Sequence, residues 1–367
     1  MDPVILDHLP SRLLECPAHR LHEQLSGPTL IHLPGRRPQP LFVSVLQHGN
    51  ETSGWEAVRR LLRGRYDRDP LPRSLILMVG NVSAAAQNQR QLPGQMDLNR
   101  CWPGSTQPPG PWHALLATLT EHVKRRQPFA SIDIHNNTGR NPHYAAINRI
   151  SAESLELAAL FCRTVIYFTE PKGVQSDAFS EFCPAVTLEC GLSADPGGAD
   201  HAMVYLERVL HLDDLPSCLP EPERLELYQM MATVTVDPDL SFAFSTNPEA
   251  DQDTLQLPAD LDHLNFTEVA PGTCMARAPA GSPRPLRANG HDGKDLTAHC
   301  FTLDQGQVLT RQPMMPAMLT TDPQIVRSDC LCYLMERINL DALQRGRQRE
   351  LEQTPLPESL DAASGAA

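Results

Sequence analysis

Residues 41–46 read Leu-Phe-Val-Ser-Val-Leu, and residues 48–51 read His-Gly-Asn-Glu. A short apolar run of this kind predicts a buried strand, so the His-x-x-Glu pattern is expected at the carboxyl end of that strand. An imidazole and a carboxylate presented together can bind one metal ion, and zinc favours nitrogen and oxygen ligands. Because a catalytic zinc usually takes three protein ligands and a water, we expect a third ligand further along the chain.

A second strand-like run, over 131–134, ends just before His135. In open α/β sheets, ligand sites lie outside the carboxyl ends of the strands, so His48 and His135 are expected in equivalent places. A lone histidine in either position would more often be a hydrogen-bonded structural residue. Two histidines and Glu51, all at predicted strand ends, favour a metal site instead.

A third run, over 184–191, contains Glu189 near its end. Val186 and Leu188 are apolar alternates, whereas Glu189 is on the other face of the predicted strand. A buried carboxylate without a partner is costly, so this glutamate needs a reason to be there. One reason is a salt bridge. The other is a catalytic base beside a metal-activated water, because zinc can lower the pKa of a bound water to about 7.

Four short motifs follow one another in the first half of the chain. They are H-G-N-E at 48–51, D-L-N-R at 97–100, D-I-H-N at 133–136 and L-E-C-G at 188–191. Each motif alone is weak, but all four in this order and at these spacings are specific. On these motifs the chain resembles the succinylglutamate desuccinylase/aspartoacylase family, a branch of the zinc carboxypeptidase superfamily.

The resemblance implies one zinc ion per chain, bound by His48, Glu51 and His135. It also implies that the substrate is bound by Asn99, Arg100 and Asn136. The planar guanidinium of Arg100 suits a substrate carboxylate. Glu189 would be the general base and acid, and Asp97 would orient a ligand histidine from behind it. Arg90 is the nearest match to the arginine that polarises the scissile carbonyl in this family.

The composition suits a globular enzyme. The 367 residues carry a formal charge of -13, with 20% charged and 41% hydrophobic side chains. The negative charge argues against nucleic acid or an anionic membrane as a partner. The first residues show no signal-peptide pattern, and no apolar run is long enough to span a bilayer. Ten cysteines without a secretory signal indicate reduced thiols, so the sequence predicts a cytoplasmic protein.

Strand-like and helix-like segments alternate over 1–215, which predicts a catalytic domain of the α/β class. The resemblance implies a zinc-carboxypeptidase-like mixed sheet with flanking helices in this domain. Short alternating segments such as 266–269 and 307–310 lie among Pro and Gly, so 225–343 are predicted to form a smaller C-terminal β-rich domain. Residues 344–367 are charged, then rich in Pro and Ala, and are predicted to be a disordered tail.

Three functions are compatible with these patterns. The first is a zinc-dependent hydrolase that cleaves the amide bond of a small N-acyl amino acid, with a metal-activated water and Glu189 as general base and acid. The second is a carboxypeptidase-like amidohydrolase acting on peptides or peptidoglycan fragments, and the third is a zinc-binding protein without turnover. A deep cavity walled by residues beyond 230 favours the first, and an open groove favours the second. No motif identifies the acyl group, the amino acid or the oligomeric state.

Overall fold

The computed structural model describes residues 3–345, with gaps at 138, 140, 194, 248–252, 291 and 329. In this part of the chain the strands are β1 (Val4–Leu6), β2 (Thr29–Leu33), β3 (Gly35–Val45), β4 (Leu71–Val79), β5 (Ala130–Asn137), β6 (Tyr144–Ile147), β7 (Thr164–Tyr167), β8 (Ala185–Leu192), β9 (Glu226–Val236), β10 (Phe242–Ser245), β11 (Leu255–Pro258), β12 (Cys274–Arg277), β13 (Leu286–Asn289), β14 (Phe301–Asp304), β15 (Gln307–Thr310), β16 (Met315–Ala317) and β17 (Cys332–Arg337).

The α-helices of the same residues are α1 (Ser53–Gly64), α2 (Val82–Ala85), α3 (Pro111–Lys124), α4 (Ala152–Phe161), α5 (Gln175–Ser180), α6 (Pro196–His211), α7 (Thr297–Cys300) and α8 (Pro323–Ser328). Short 3-10 helices span Leu13–Glu15, Ala18–Glu23, Leu98–Arg100 and Leu261–Leu264. Among the described residues, no helix combines the length and the apolar character needed to cross a membrane. The predicted tail lies outside the described residues from 346 onward.

Twelve strands form one large mixed sheet in the order β1-β2-β4-β3-β5-β8-β6-β7-β9-β17-β16, with β13 paired to β9. Its central strands β4, β3, β5 and β8 are parallel neighbours, whereas β2 runs antiparallel to β4 and β6 runs antiparallel to β8. The carboxyl ends of parallel strands meet at one edge of a sheet. The three predicted strand ends therefore come together, and His135 on β5 is the register partner of Glu189 on β8.

Helices cover both faces of this sheet, because apolar side chains on the central strands alternate between the two faces. On β3, Val43 and Val45 belong to the core shared with α1, α4 and α6, whereas Phe42 belongs to the core under α3. Each fully buried side chain of this type stabilises the fold by about 1.5–3 kcal/mol. The two cores hold the central strands in place, and with them the sheet edge that carries His135 and Glu189.

A second, smaller sheet lies in the part of the chain after residue 240. Its five strands follow the order β10-β11-β12-β15-β14. The expected α/β architecture, with flanking helices and a smaller C-terminal β-rich part, is confirmed. The strand predicted over 266–269 is wrong: Phe266 has a φ of 55°, in the left-handed region, which interrupts an extended path. In that segment Val269 makes an isolated bridge with Met314.

The large sheet continues into the C-terminal part of the chain. Strand β9 pairs in parallel with β7, and both β17 and β13 pair antiparallel with β9. Residues 212–225, between α6 and β9, form neither helix nor strand. Strands after residue 225 therefore extend the sheet that carries the site, and the division into 1–215 and 225–343 stays a prediction.

Candidate metal centre and active site

His48, Glu51 and His135 come together at the carboxyl edge of the central strands. His48 and Glu51 lie in the turn between β3 and α1, and His135 lies on β5. The Nδ1 atom of His48 is 2.7 Å from Glu51 Oε1, and the Nδ1 atom of His135 is 2.7 Å from Glu51 Oε2. All three side chains are buried, and their potential ligand atoms lie within 4.8 Å of one another.

A carboxylate holds the outer nitrogen of each imidazole. Asp97 Oδ1 is 2.9 Å from His48 Nε2, and Asp133 Oδ2 is 2.8 Å from His135 Nε2. Such pairs fix the orientation of metal-binding histidines and increase their basicity. Both Nδ1 atoms are thereby directed at Glu51, and this set of two imidazoles and one carboxylate fits a zinc ion.

The part played by Asp133 was missed in the sequence. Asp133 and His135 are two residues apart on β5, so their side chains are on the same face of the strand. That spacing was a usable signal, because a ligand histidine usually has a hydrogen-bonding partner behind it. Asp97 Oδ1 is 2.9 Å from His48 Nε2, and its expected role in orienting a ligand histidine stays a prediction.

Neighbouring charges favour the charged forms of Glu51 and His135. Burial by itself raises the pKa of Glu51, but the two imidazoles outweigh burial and hold that pKa well below its usual range. Burial likewise opposes the charge on His135, yet Asp133 and Glu51 raise its pKa well above the usual value. The positive charge that balances the buried carboxylate of Glu51 can come from a protonated His135 or from a divalent cation held between the three side chains.

Glu189 lies on β8 next to His135, and its Oε2 atom is buried without a hydrogen-bond partner among the described residues. Burial raises the pKa of Glu189 to about 8; Glu51 and Asp133 add to the shift, and His135 opposes it. Within the described part of the chain, this carboxyl forms no salt bridge of the kind considered in the sequence analysis. A carboxyl with a pKa near neutrality can both accept and donate a proton.

Two arginines flank the metal centre. Arg90 donates from Nε and Nη2 to Asp97 Oδ2, at 3.2 and 2.8 Å, and its Nη1 is 3.6 Å from Glu51 Oε1. Arg100 lines the same cavity and donates from Nη1 to the backbone oxygen of Asn99, at 2.8 Å. Burial lowers the pKa of Arg100, and Asp97 opposes that shift. The guanidinium of Arg90 is therefore paired with Asp97. Arg100 has only a backbone oxygen as a hydrogen-bond partner among the described residues.

The amide of Asn99 bonds within the protein. Its Nδ2 atom is 3.1 Å from His135 Nε2 and 3.4 Å from Asp133 Oδ2, and its Oδ1 atom accepts from the backbone N–H of Gln175 at 3.0 Å. These contacts hold the pair formed by His135 and Asp133. The expected contact between Asn99 and substrate stays a prediction.

The amide of Asn136 also bonds within the protein. Its Nδ2 atom donates to Ser53 Oγ and to the backbone oxygen of Gly191, both at 2.9 Å, and its Oδ1 atom accepts from the Ser53 backbone N–H at 3.1 Å. These bonds tie β5 to the first turn of α1 and to β8. A substrate contact through this amide, which stays a prediction, would have to replace one of them.

Residues 40–206 match the model of the succinylglutamate desuccinylase/aspartoacylase catalytic domain. They include both histidines, Glu51, Glu189 and all four motifs of the sequence analysis. Residues 40–206 therefore belong to the succinylglutamate desuccinylase/aspartoacylase family. The family resemblance drawn from the motifs is confirmed.

Succinylglutamate desuccinylases from several bacteria are similar to this chain in sequence. The protein of Ectopseudomonas mendocina (strain ymp) is 28% identical over 267 residues, which are 64% of this chain and 72% of that protein. The protein of Burkholderia thailandensis is 26% identical over 299 residues, which are 73% of this chain and 80% of that protein.

Solved structures of the family share the fold. The succinylglutamate desuccinylase/aspartoacylase of Rhodobacter sphaeroides superposes with a TM-score of 0.55 at 16% identity, over 84% of this chain and 88% of that one. The succinylglutamate desuccinylase of Chromobacterium violaceum gives a TM-score of 0.54 at 19% identity, over 83% and 86% of the two chains. At these identities the likeness establishes the fold alone.

The candidate metal-binding residues His48, Glu51 and His135 line a cavity of about 1130 Å³. The strand ends contribute the histidines, Glu51 and Glu189. Residues beyond 230 contribute a large part of the wall: Met230, Asp262, Met318, Leu319, Thr320, Thr321, Asp322, Ile325, Cys330 and Tyr333. A cavity wall formed by these residues is the feature expected for a small substrate rather than a peptide.

A buried polar network lies behind His135 and leaves no local pattern in the sequence. Ser44 Oγ donates to Asp133 Oδ1 at 2.6 Å and also contacts Gln175 Oε1. Gln47 Nε2 donates to the same Gln175 oxygen at 3.2 Å, and Trp102 Nε1 donates to Gln47 Oε1 at 2.7 Å. The network therefore connects the carboxylate that orients His135 to α5 and to the loop after the D-L-N-R motif.

Replacing Ser44 with Ala is expected to lower the free energy of unfolding by about 1.5–3 kcal/mol, because Asp133 loses a hydrogen bond to a charged, buried oxygen. Urea denaturation of the metal-free protein measures this loss. Ser217, which is exposed in the segment after α6, provides the matched control. Ser217→Ala should change the unfolding free energy by less than about 0.5 kcal/mol. Equal effects of the two substitutions would contradict a supporting role for Ser44.

Proposed function

We propose that the protein is a zinc-dependent hydrolase that cleaves the amide bond of a small N-acyl amino acid, releasing a carboxylate and an amine. One observation carries the proposal: two imidazoles and a carboxylate surround one point, with an unpartnered carboxyl, Glu189, on the adjacent strand. This combination is what metal-assisted hydrolysis requires. Membership of the succinylglutamate desuccinylase/aspartoacylase family supports the same reaction class.

Zinc bound by His48, Glu51 and His135 would supply Lewis-acid activation of a water and of the scissile carbonyl. Glu189 would take a proton from the attacking water and deliver it to the nitrogen of the leaving amine. Burial raises the pKa of Glu189 to about 8, which favours the protonated form that donates, whereas a zinc ion beside it would favour the carboxylate that accepts. The net result is addition of one water across the amide bond.

The two arginines would serve different parts of the substrate. Arg90, held by Asp97 and 3.6 Å from Glu51, would stabilise negative charge that develops on the carbonyl oxygen. Arg100, which lines the same cavity, would bind the carboxylate of the amino acid. The wall formed by residues beyond 230 supports a small substrate over an extended peptide.

A turnover screen tests the proposal. Zinc-loaded protein is incubated with formyl-, acetyl- and succinyl-amino acids, and release of the free amino group is measured. We expect release from at least one of these classes, loss of the activity on chelation, and recovery when zinc is restored. Absence of metal-dependent release from every class would overturn the proposed function.

Replacing Arg100 with Lys is expected to lower kcat/KM by about 10–150-fold, which corresponds to the 1.5–3 kcal/mol of a charged hydrogen bond. Lysine keeps the charge but cannot bind a carboxylate through two parallel bonds. The loss should vanish for a substrate whose carboxylate is amidated. Arg60→Lys, at a surface ion pair with Asp200 on α6, should leave both rates unchanged. An equal loss on the two substrates would instead show that Arg100 has a structural role.

A further inference from the structure

We infer that the substrate carries a single carboxylate and an extended apolar group, in place of the further carboxylates of a succinylated acidic amino acid. This inference rests on the proposed function and narrows its substrate class. Three features of the cavity carry it: its volume, its apolar wall and the balance of its charges.

The cavity is large for a short substrate. Its volume of about 1130 Å³ is somewhat above the roughly 300–1,000 Å³ of pockets that enclose a drug-sized ligand. An acetyl amino acid bound at the metal centre would leave most of this space to water. A group that extends away from the amide bond would fill it.

Apolar side chains line the outer part of the cavity. Four large hydrophobic side chains are exposed among the described residues, at 38–44% of their surface, and two of these, Leu192 and Ile325, line the cavity. Partly buried apolar side chains of Phe168, Met230 and Met318 line it as well. Apolar surface that is wet in the free protein is stabilised when an apolar ligand group covers it.

The charges of the wall oppose a second carboxylate. Besides the ligand histidines, the basic side chains among the described lining residues are Arg90 and Arg100, and Asp97 engages Arg90. Among the described lining residues, one guanidinium therefore remains for a substrate carboxylate. Three further lining residues are acidic: Glu170, Asp262 and Asp322. An additional substrate carboxylate would meet like charges there, which disfavours binding.

Two isosteric substrates test the inference. N-succinylmethionine and N-(4-methylpentanoyl)methionine have acyl groups of the same shape, but the second ends in an isopropyl group in place of the carboxylate. We expect kcat/KM to be at least about tenfold higher for the neutral acyl group, the lower end of what a hydrophobic pocket discriminates. Equal or faster turnover of the succinyl compound would overturn the inference.

Adding a positive charge to the cavity wall should weaken the preference. Ile325→Arg is expected to lower the ratio of kcat/KM for the neutral compound over the succinyl compound by at least about fivefold, because the new guanidinium can pair with the acyl carboxylate and removes apolar surface. Val204→Arg places the same charge on a similarly exposed helix position that does not line the cavity, and the ratio should stay unchanged. An unchanged ratio in Ile325→Arg would also count against the inference.

The outcomes separate this inference from the proposed function. If zinc-loaded protein hydrolyses neither methionine compound nor acetylmethionine, and no other N-acyl amino acid, the proposed function fails and the inference fails with it. If it hydrolyses N-acyl amino acids but prefers the succinyl group, only the inference about the apolar group fails.

Discussion

Replacing Glu189 with Gln is expected to slow turnover by about 10²–10⁴-fold, the usual contribution of general acid–base catalysis, while the fold and the zinc content are kept. Glutamine has nearly the same shape but cannot accept the proton of the attacking water. Because Glu189 Oε2 has no hydrogen-bond partner among the described residues, the substitution breaks no structural bond of that atom. The melting temperature should therefore not fall.

Glu156→Gln is the matched control for this experiment. Glu156 lies on α4, pairs with Arg224 at 2.6 Å, and is not in the cavity wall. Its substitution should leave turnover unchanged and alter stability only slightly, as is usual for exposed ion pairs. The opposite pattern for Glu189→Gln, an early melting transition with normal turnover of the folded protein, would rule out Glu189 as the catalytic base.

His48→Ala and His135→Ala are each expected to remove most of the bound zinc. Loss of a residue that only orients a ligand typically weakens metal affinity by 10–100-fold, so loss of a ligand itself should exceed that range. Metal analysis after dialysis, together with titration of the metal-free variants with zinc, measures the effect. The wild-type protein should retain one zinc ion per chain.

Three further variants calibrate the result. Asp97→Asn and Asp133→Asn remove the charge behind each histidine and should fall within the 10–100-fold range. His211→Ala, at an exposed position at the end of α6, should retain full zinc content. Full zinc occupancy in both His48→Ala and His135→Ala would show that the ion, if bound, is held elsewhere.

The sequence predicted the centre of the site because each key residue ends an apolar run. His48 follows β3, whereas His135 and Glu189 lie two and three residues before the ends of β5 and β8, and parallel strands bring these positions to one edge of the sheet. The supporting residues could not be predicted in the same way. Ser44 is 89 residues from Asp133 and 131 residues from Gln175, so their hydrogen bonds leave no local pattern.

Local sequence patterns also could not predict the shape of the cavity. Its outer wall depends on the pairing of β9 with β7, which brings residues after 225 next to the metal centre. No periodicity within either segment specifies that pairing. The motifs therefore indicated the candidate metal-binding residues, whereas the wall of the cavity depends on long-range contacts.

The register of β5 and β8 has a consequence for how this protein could change during evolution or in the laboratory. His135 and Glu189 are opposite one another on adjacent strands, so the spacing of strands in a sheet, about 4.8 Å, sets their separation. Side chains of the cavity wall such as Met318 and Ile325 lie outside that strand pair. Their substitution can therefore change the wall while the separation of His135 and Glu189 is kept.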